Sequence, residues 1–273
     1  MHLDVVIPAH DEEHRIDRTL TAYRSICSGH DIRFMVALDD CRDRTAEIVR
    51  GHAAEDPRVE LHEYRRLGKG GVIMETFRRA TAELVGFVDA DCATPPTELL
   101  RLAEAAAQAD GAIASRWHPA AILPAPRPLS RRLASAAFAF WVRQLFDLPY
   151  RDTQCGAKVL RREVIEAVLP LLSSRDFLFD VDLLLVARAL EYRIVEVPTI
   201  WIDREGSRLR VVHDSKRMVA SSMRLWAHHL VAPVAPAVRS PMADRSPAAS
   251  QVSMLPTDLV LAPAVPATMQ DSR

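Results

Sequence analysis

Leu84-Val85-Gly86-Phe87-Val88-Asp89-Ala90-Asp91 is an apolar run that ends in two carboxylates one residue apart. A strand buried on both faces of a parallel sheet reads as such a run, and open α/β sheets bind ligands just beyond the carboxyl ends of their strands. Asp89 and Asp91 therefore stand where chemistry is expected. Their oxygens suit Mg²⁺ or Mn²⁺, ions usually shared with substrate phosphates and not caged by protein alone. The competing reading is a plain turn that caps the helix following Pro95-Pro96, since Asp is common at both places.

Upstream, the same pattern repeats. Leu3 to Ile7 is a β-branched run closed by Pro8, and Asp11-Glu12-Glu13 leads into a periodic stretch with Ile16, Leu20, Tyr23 and Cys27. Phe34 to Leu38 is a second run, ending at Asp39-Asp40 before a helix over Thr45 to His52. Val59 to His62 is a third strand; Gly68-Lys69-Gly70-Gly71 then precedes a helix expected from about Val72 to Glu83. Strands alternating with helices imply right-handed crossovers and a parallel sheet.

Downstream, Gly111 to Ser115 reads as another strand, followed by Arg116-Trp117 and a loop with Pro119, Pro124, Pro126 and Pro128. Such a loop is semi-rigid and non-helical, suited to a lid or acceptor wall. Ser130 to Phe146 and Ser215 to Leu230 read as helices that mix aromatic and aliphatic side chains with Arg131, Arg132, Arg143, Lys216, Arg217 and Arg224. Each is either a core helix with a basic exposed face or a helix lying at a bilayer surface. Residues 233–273 hold seven of the chain's 18 prolines without a sustained apolar period, the composition of a disordered tail.

Composition narrows the function. The chain has 273 residues, 49% of them hydrophobic, ample for one large α/β domain or two small ones. Thirty-five basic against 36 acidic residues leave no global field for nucleic acid, so any anionic partner must be met by local clusters. Cys27, Cys41, Cys92 and Cys155 form no CxxC pair, which disfavours a zinc site or disulfide framework and fits a reducing cytosol. No long uninterrupted apolar run and no signal-peptide pattern is present, so a peripheral and not a spanning relation to any membrane is expected. Pro8-Ala9-His10 stands where a dinucleotide-binding turn would need GxGxxG.

Four further segments carry chemistry-bearing residues. Gly68-Lys69-Gly70-Gly71 offers unhindered amides and one ammonium for phosphate, though a turn reads the same; it lacks the remaining residues of a Walker A loop. Asp152-Thr153-Gln154-Cys155-Gly156-Ala157-Lys158 reads either as a ligand loop or as an ordinary interhelical turn. Asp176-Phe177-Leu178-Phe179-Asp180-Val181-Asp182 places acids at a helix entry, where they also complement the dipole. Arg204-Glu205-Gly206-Ser207-Arg208-Leu209-Arg210 could clamp phosphate or be a solvated loop.

Taken in order, these segments resemble the family-2 glycosyltransferases, specifically the polyprenyl-phosphate sugar synthases. Val6-Ile7-Pro8-Ala9-His10-Asp11-Glu12-Glu13 is similar to the family's hydrophobic-P-A-Y-N-E-E opening, and Asp39 to Thr45 to its DDGSxDxT turn. Gly68-Lys69-Gly70 resembles its G-K-G, Asp89-Ala90-Asp91 its DxD, and Ser115-Arg116 its G-S-R. Asp152 to Lys158 is similar to D-T-Q-C-G-F-K, Phe179 to Leu184 to F-D-V-E-L-L, and Glu196-Val197-Pro198, Trp201 and Gly206 to Leu209 to E-V-P, W and G-S-K-L. Asp89 to Thr94 resembles the D-A-D-G-A-T of dolichyl-phosphate β-glucosyltransferases more than the D-A-D-L-Q of mannosyl enzymes, with Ala93 in place of the Gln.

The resemblance implies an α/β GT-A (nucleotide-diphospho-sugar transferase) fold with a mostly parallel central sheet flanked by helices. The implied domain covers residues 1–230, with a nucleotide-sugar half of about 1–118, an acceptor half of about 119–230, and a Pro/Ala-rich tail over 231–273. It implies Mg²⁺ or Mn²⁺ on Asp89 and Asp91, with Asp89, Asp91, Asp180 and Arg116 as catalytic residues. Pro8, Ala9, Glu12, Asp39, Lys69 and Ala90 would meet the donor, Asp39 at the nucleobase. Asp152, Gln154 and Asp180 would line the sugar and acceptor pocket, while Arg116, Arg131, Arg204 and Arg208 hold an acceptor phosphate. The implied reaction moves a hexose, glucose from UDP-glucose foremost, onto a polyprenyl or dolichyl phosphate at the cytosolic membrane face. No nucleic-acid or protein partner is implied. The alternatives are a GDP-mannose donor, a soluble acceptor, or a catalytically silent nucleotide-sugar binding module.

Overall fold

The computed structural model describes residues 1–124, 129–202 and 211–234, with backbone alone at 129–132 and 211–216. The expected tail beyond residue 234, the later prolines of the 119–128 loop, Arg204 and Arg208 lie outside the described residues, as does the side chain of Arg131.

Among the described residues there are seven strands: β1 (His2–Ala9), β2 (Asp31–Asp39), β3 (Val59–Tyr64), β4 (Leu84–Val88), β5 (Gly111–Ser115), β6 (Ala157–Arg161) and β7 (Ile194–Pro198). They form one sheet in the order β3-β2-β1-β4-β6-β5-β7. All run parallel except β6, which is antiparallel to both of its neighbours. The helices are α1 (Ile16–Ile26), α2 (Thr45–Glu55), α3 (Gly68–Phe77), α4 (Pro96–Ala107), α5 (Leu129–Phe146), α6 (Arg162–Val168), α7 (Phe179–Ala189) and α8 (Val211–Val231).

Strand alternation sends neighbouring side chains to opposite faces, so the sheet has a core on each side. Leu3, Val5 and Ile7 pack with Leu20 and Tyr23 of α1, Val49 of α2, and Leu99 and Leu102 of α4. Val6, Met35 and Phe87 pack on the other face with Ile73 and Phe77 of α3, Val164 of α6, and Phe179 and Leu183 of α7. β4 is buried along its whole length, as its apolar run predicts.

Two local expectations need correction. The helix expected from Val72 begins at Gly68 and ends at Phe77, so Gly68-Lys69-Gly70-Gly71 is the first helical turn and not a preceding loop. The segment after Asp152 does not join two helices but runs into β6. Lys158 conceals this strand in the sequence. It interrupts the apolar run, yet is fully buried because Asp180 on α7 supplies its counter-charge.

Candidate active site

The connections leaving the carboxyl ends of β1 to β4 each contain a residue in left-handed backbone conformation: Asp11, Asp40, Arg66 with Gly68, and Cys92. Only glycine adopts this region freely, so the surrounding contacts must hold the others there.

Those contacts interlock the first two loops. The Arg42 N–H donates to Asp11 (2.7 Å) and the Arg44 N–H to Glu13 (3.0 Å). In return the Glu13 N–H donates to Asp43 (3.1 Å) and the Glu12 N–H to the Thr45 hydroxyl (2.8 Å). Burial works against the Asp43 charge, but the Thr45 hydroxyl and backbone N–H groups override it and hold the carboxyl below its usual range. Asp11, Cys41 and Asp43 come within 4.8 Å of one another, close enough for a cation, but Asp11 and Asp43 already accept from backbone donors.

Asp39 at the end of β2 behaves similarly. Its two oxygens accept from the N–H groups of Leu67 (2.6 Å) and Gly68 (3.0 Å). The Gly71 N–H donates to the Arg175 carbonyl (3.0 Å). Of the amides in Gly68 to Gly71 expected to meet phosphate, those of Gly68 and Gly71 are engaged within the protein. The glycines serve close packing instead: a Cβ at Gly70 would lie 2.5 Å from the Phe179 Cβ. That contact brings Lys69 against α7.

The end of β4 is different. Asp89 pairs with the Lys69 ammonium at 2.7 Å, and the same ammonium lies 3.9 Å from Asp180. Asp180 also pairs with Lys158, whose ammonium donates to the Cys155 carbonyl at 3.0 Å. Despite burial, Asp89 and Asp180 hold the Lys69 ammonium well above its ordinary pKa. Asp91 is pushed the other way: burial, then the neighbouring Asp89 charge, raises its carboxyl above the usual range. The Ala93 N–H, Arg15 and Lys69 offset this only in part.

Gly156 and α1 fix this acidic turn. The Asp89 N–H donates to the Gly156 carbonyl (2.9 Å), and a Cβ at Gly156 would stand 1.9 Å from an Asp89 oxygen. Thr19 donates to the Ala90 carbonyl (2.7 Å) and Tyr23 to the Thr94 carbonyl (2.8 Å). The Asp91 carboxylate accepts from the Ala93 N–H (2.9 Å).

Arg116 and Asp152, expected to act separately, form one unit. The guanidinium makes a two-armed contact with the carboxylate (2.7 and 2.9 Å) and lies over the Trp201 ring. Burial opposes the Asp152 charge, but Arg116 holds its carboxyl below the usual range. Glu196 on β7 accepts from the N–H groups of Arg151 and Asp152, and the Gln154 amide donates to the Phe177 carbonyl. Pro8 and Ala9 end β1, and Glu12 pairs with Arg15 at 3.5 Å.

Asp89, Asp91, Lys69 and Asp180 are thus gathered at the end of β4, while Asp39, Pro8, Ala9 and Glu12 belong to the neighbouring loops. Sequence reasoning gave no individual role to Lys158, Glu196, Thr19 or Tyr23, and offered Gly156 as a point of close backbone approach to a ligand. A lysine inside an otherwise apolar stretch was the available signal for the first. A cavity of about 640 Å³ between α1 and α2 is lined by Arg24, His52 and Asp56, whose side chains already pair with one another.

A mostly parallel sheet with one antiparallel strand beside a rim of paired acids defines a GT-A glycosyltransferase. Glucosyl-3-phosphoglycerate synthase from Mycobacterium tuberculosis, solved with Mn²⁺, UDP and glucosyl-3-phosphoglycerate, shares this fold at a TM-score of 0.62 and 13% identity, over 82% of this chain and 79% of that one. Residues 4–169 match Glycosyl transferase family 2, and the chain belongs to that family.

The chain is similar to the dolichyl-phosphate β-glucosyltransferase of Drosophila melanogaster, 31% identical over 250 residues, 85% of this chain and 76% of the relative. It is equally similar, 31% over 210 residues, to the undecaprenyl-phosphate mannosyltransferase of Micrococcus luteus, over 75% of this chain and 85% of the relative. A glycosyltransferase of Haloferax volcanii is 31% identical over 240 residues; the match takes in 85% of this chain but only 38% of that longer protein.

Proposed function

We propose that the chain transfers glucose from UDP-glucose to the phosphate of a polyprenyl or dolichyl phosphate, with inversion and with a divalent cation on Asp89 and Asp91. The observation that carries this reading is the charge imbalance at the end of β4. Lys69 lies on Asp89, while burial and then the Asp89 charge raise the Asp91 carboxyl against the partial offset of the Ala93 N–H, Arg15 and Lys69. Hard carboxylate oxygens fit Mg²⁺ or Mn²⁺. Asp89 and Asp91 would hold either ion there, where its charge would offset that of the departing diphosphate.

The chain's own residues do the rest. An acceptor phosphate is already an anion near neutral pH, so its oxygen can attack the anomeric carbon without a strong general base. The new bond forms as the bond to the diphosphate breaks. Lys69 stands beside Asp89 to meet donor phosphate, and the Arg116–Asp152 pair, Gln154 and Asp180 line the sugar side. Arg131, Arg204 and Arg208 are assigned to the acceptor phosphate.

A lipid acceptor is supported by α5 and α8. No helix of the described residues is long and apolar enough to cross a membrane. Yet Leu133, Phe140 and Leu230 are 68%, 66% and 60% exposed, and Trp141 and Trp226 are also partly bare. Arg143, Arg217 and Arg224 are exposed on the same two helices. Aromatic side chains entering a lipid interface beside arginines that meet lipid phosphates suit peripheral docking at the cytosolic face.

Incubation with radiolabelled UDP-glucose, Mn²⁺ and a short polyprenyl phosphate is expected to move label into the organic phase. Absence of transfer from every common sugar nucleotide would contradict the assignment.

A further inference from the structure

Lys158 is fully buried, facing the ring of Phe87 at 5.2 Å in the aromatic group that Phe87 forms with Phe77 and Phe179. Its position follows from register, since Phe87 on β4 lies opposite Lys158 on β6. An ammonium is costly to desolvate there, and an apolar pair of similar volume is often at least as stabilising as a buried ion pair. Stability therefore gives little reason for the Lys158–Asp180 pair.

Its connections suggest another reason. One Asp180 oxygen holds Lys158, while the other faces Lys69 at 3.9 Å; Lys69 in turn reaches Asp89 at 2.7 Å. Lys69 also lies over the Phe87 ring at 5.6 Å, so one aromatic ring is flanked by both ammonium groups. Four charges alternate along a line: Lys158, Asp180, Lys69, Asp89.

The geometry points to Lys158 as a positioning residue. By holding Asp180 in place and absorbing part of its charge, it sets how Lys69 is shared between Asp180 and Asp89. This deepens the proposed function and rests on its assignment of Asp89 to a cation. With Lys158 present, Asp180 attracts Lys69 weakly, and Lys69 stays on Asp89. Without Lys158, Asp180 draws Lys69 to itself and leaves Asp89 exposed to a cation. Without both members of the pair, Lys69 has Asp89 as its remaining partner in this line.

The test is calorimetric titration of the full chain with Mn²⁺ alone, with no sugar donor, beside thermal unfolding. Lys158→Met is expected to bind Mn²⁺ at least about fivefold more tightly than wild type, and Lys158→Met/Asp180→Leu at least about threefold more weakly. The single variant is expected to unfold at a lower temperature because Asp180 loses its partner, and the double to recover. A merely structural role predicts the same stability pattern with one Mn²⁺ affinity for all three proteins, and that result would overturn the proposal.

Should Lys158→Met fail to fold, equal Mn²⁺ affinity in the wild type and the double variant still overturns it. Wild type that binds Mn²⁺ but moves no label contradicts the assigned transfer reaction and leaves the positioning role standing on the titration. Wild type that binds no Mn²⁺ overturns both.

Discussion

Two acidic regions lie at neighbouring edges of one sheet and are built in opposite ways. In the loops after β1 and β2, Asp11, Glu13, Asp39 and Asp43 accept from backbone N–H groups of the facing loop. After β4, Asp91 accepts from one backbone N–H of its own turn, but Asp89 and the nearby Asp180 face the side-chain ammonium groups of Lys69 and Lys158. A carboxylate tied to backbone fixes a loop's shape and cannot easily change partner. One held by a flexible lysine can exchange it for a substrate or cation. On the proposed function the first region shapes the donor site, and the second is where charge can be rearranged.

The largest effect that could break this contrast is at Asp91. Asp91→Ala is expected to lower initial transfer rates by at least about a thousandfold, measured by label transfer, because the site loses half its cation-binding carboxylates. Near-normal turnover would remove the second region from the chemistry. Gly156→Ala comes next, since its methyl group would overlap an Asp89 oxygen. Displacing Asp89 is expected to cost about a hundredfold in kcat, with a lower unfolding midpoint.

Smaller effects sharpen the architectural side. Trp226→Glu is expected to weaken binding to anionic vesicles by about tenfold while sparing transfer to a short, water-dispersed acceptor, measured by vesicle sedimentation and label transfer. Asp43→Ala should lower stability by about 1–3 kcal/mol in urea unfolding, because it strands loop N–H groups, and leave Mn²⁺ affinity unchanged. A lost Mn²⁺ site in that variant would reverse the assignment of the two regions.

The smallest expected effect concerns pH. Asp4 is buried near the start of β1; burial raises its pKa, but Arg33 and the Thr81 and Ala82 N–H groups bring it below the usual value. A depressed carboxyl contributes stability that is complete above the ordinary pKa of about 4 and is lost as pH falls below it. Unfolding midpoints are therefore expected to hold down to about pH 5 and fall below about pH 4, less steeply in Asp4→Asn.

The legible parts of the sequence were those where one physical signal dominated. β4 and its acids could be read because a strand buried on both faces is continuously apolar and stops abruptly at Asp89. The ordered motifs brought Lys69, Asp152 and Asp180 into consideration, and all three lie in paired contacts near the sheet's rim. β6 was hidden because Lys158 is neutralised by a residue 22 positions away, a partnership that local hydrophobic pattern cannot express. The start of α3 was misplaced because glycines ordinarily disfavour a helix, whereas here Gly70 is required by the approach of Phe179. Asp39 had the spacing of a ligand-binding acid, but its contacts with Leu67 and Gly68 depend on how separate loops meet.

The central claim is that the acids after β4 hold the cation. Crystals grown with Mn²⁺ and UDP-glucose, measured near the manganese absorption edge, test it directly. The account predicts an anomalous peak within coordination distance of Asp89 and Asp91, with the donor diphosphate against it. A peak between Asp11 and Asp43 instead, or bound donor with no peak beside Asp89 and Asp91, would contradict it.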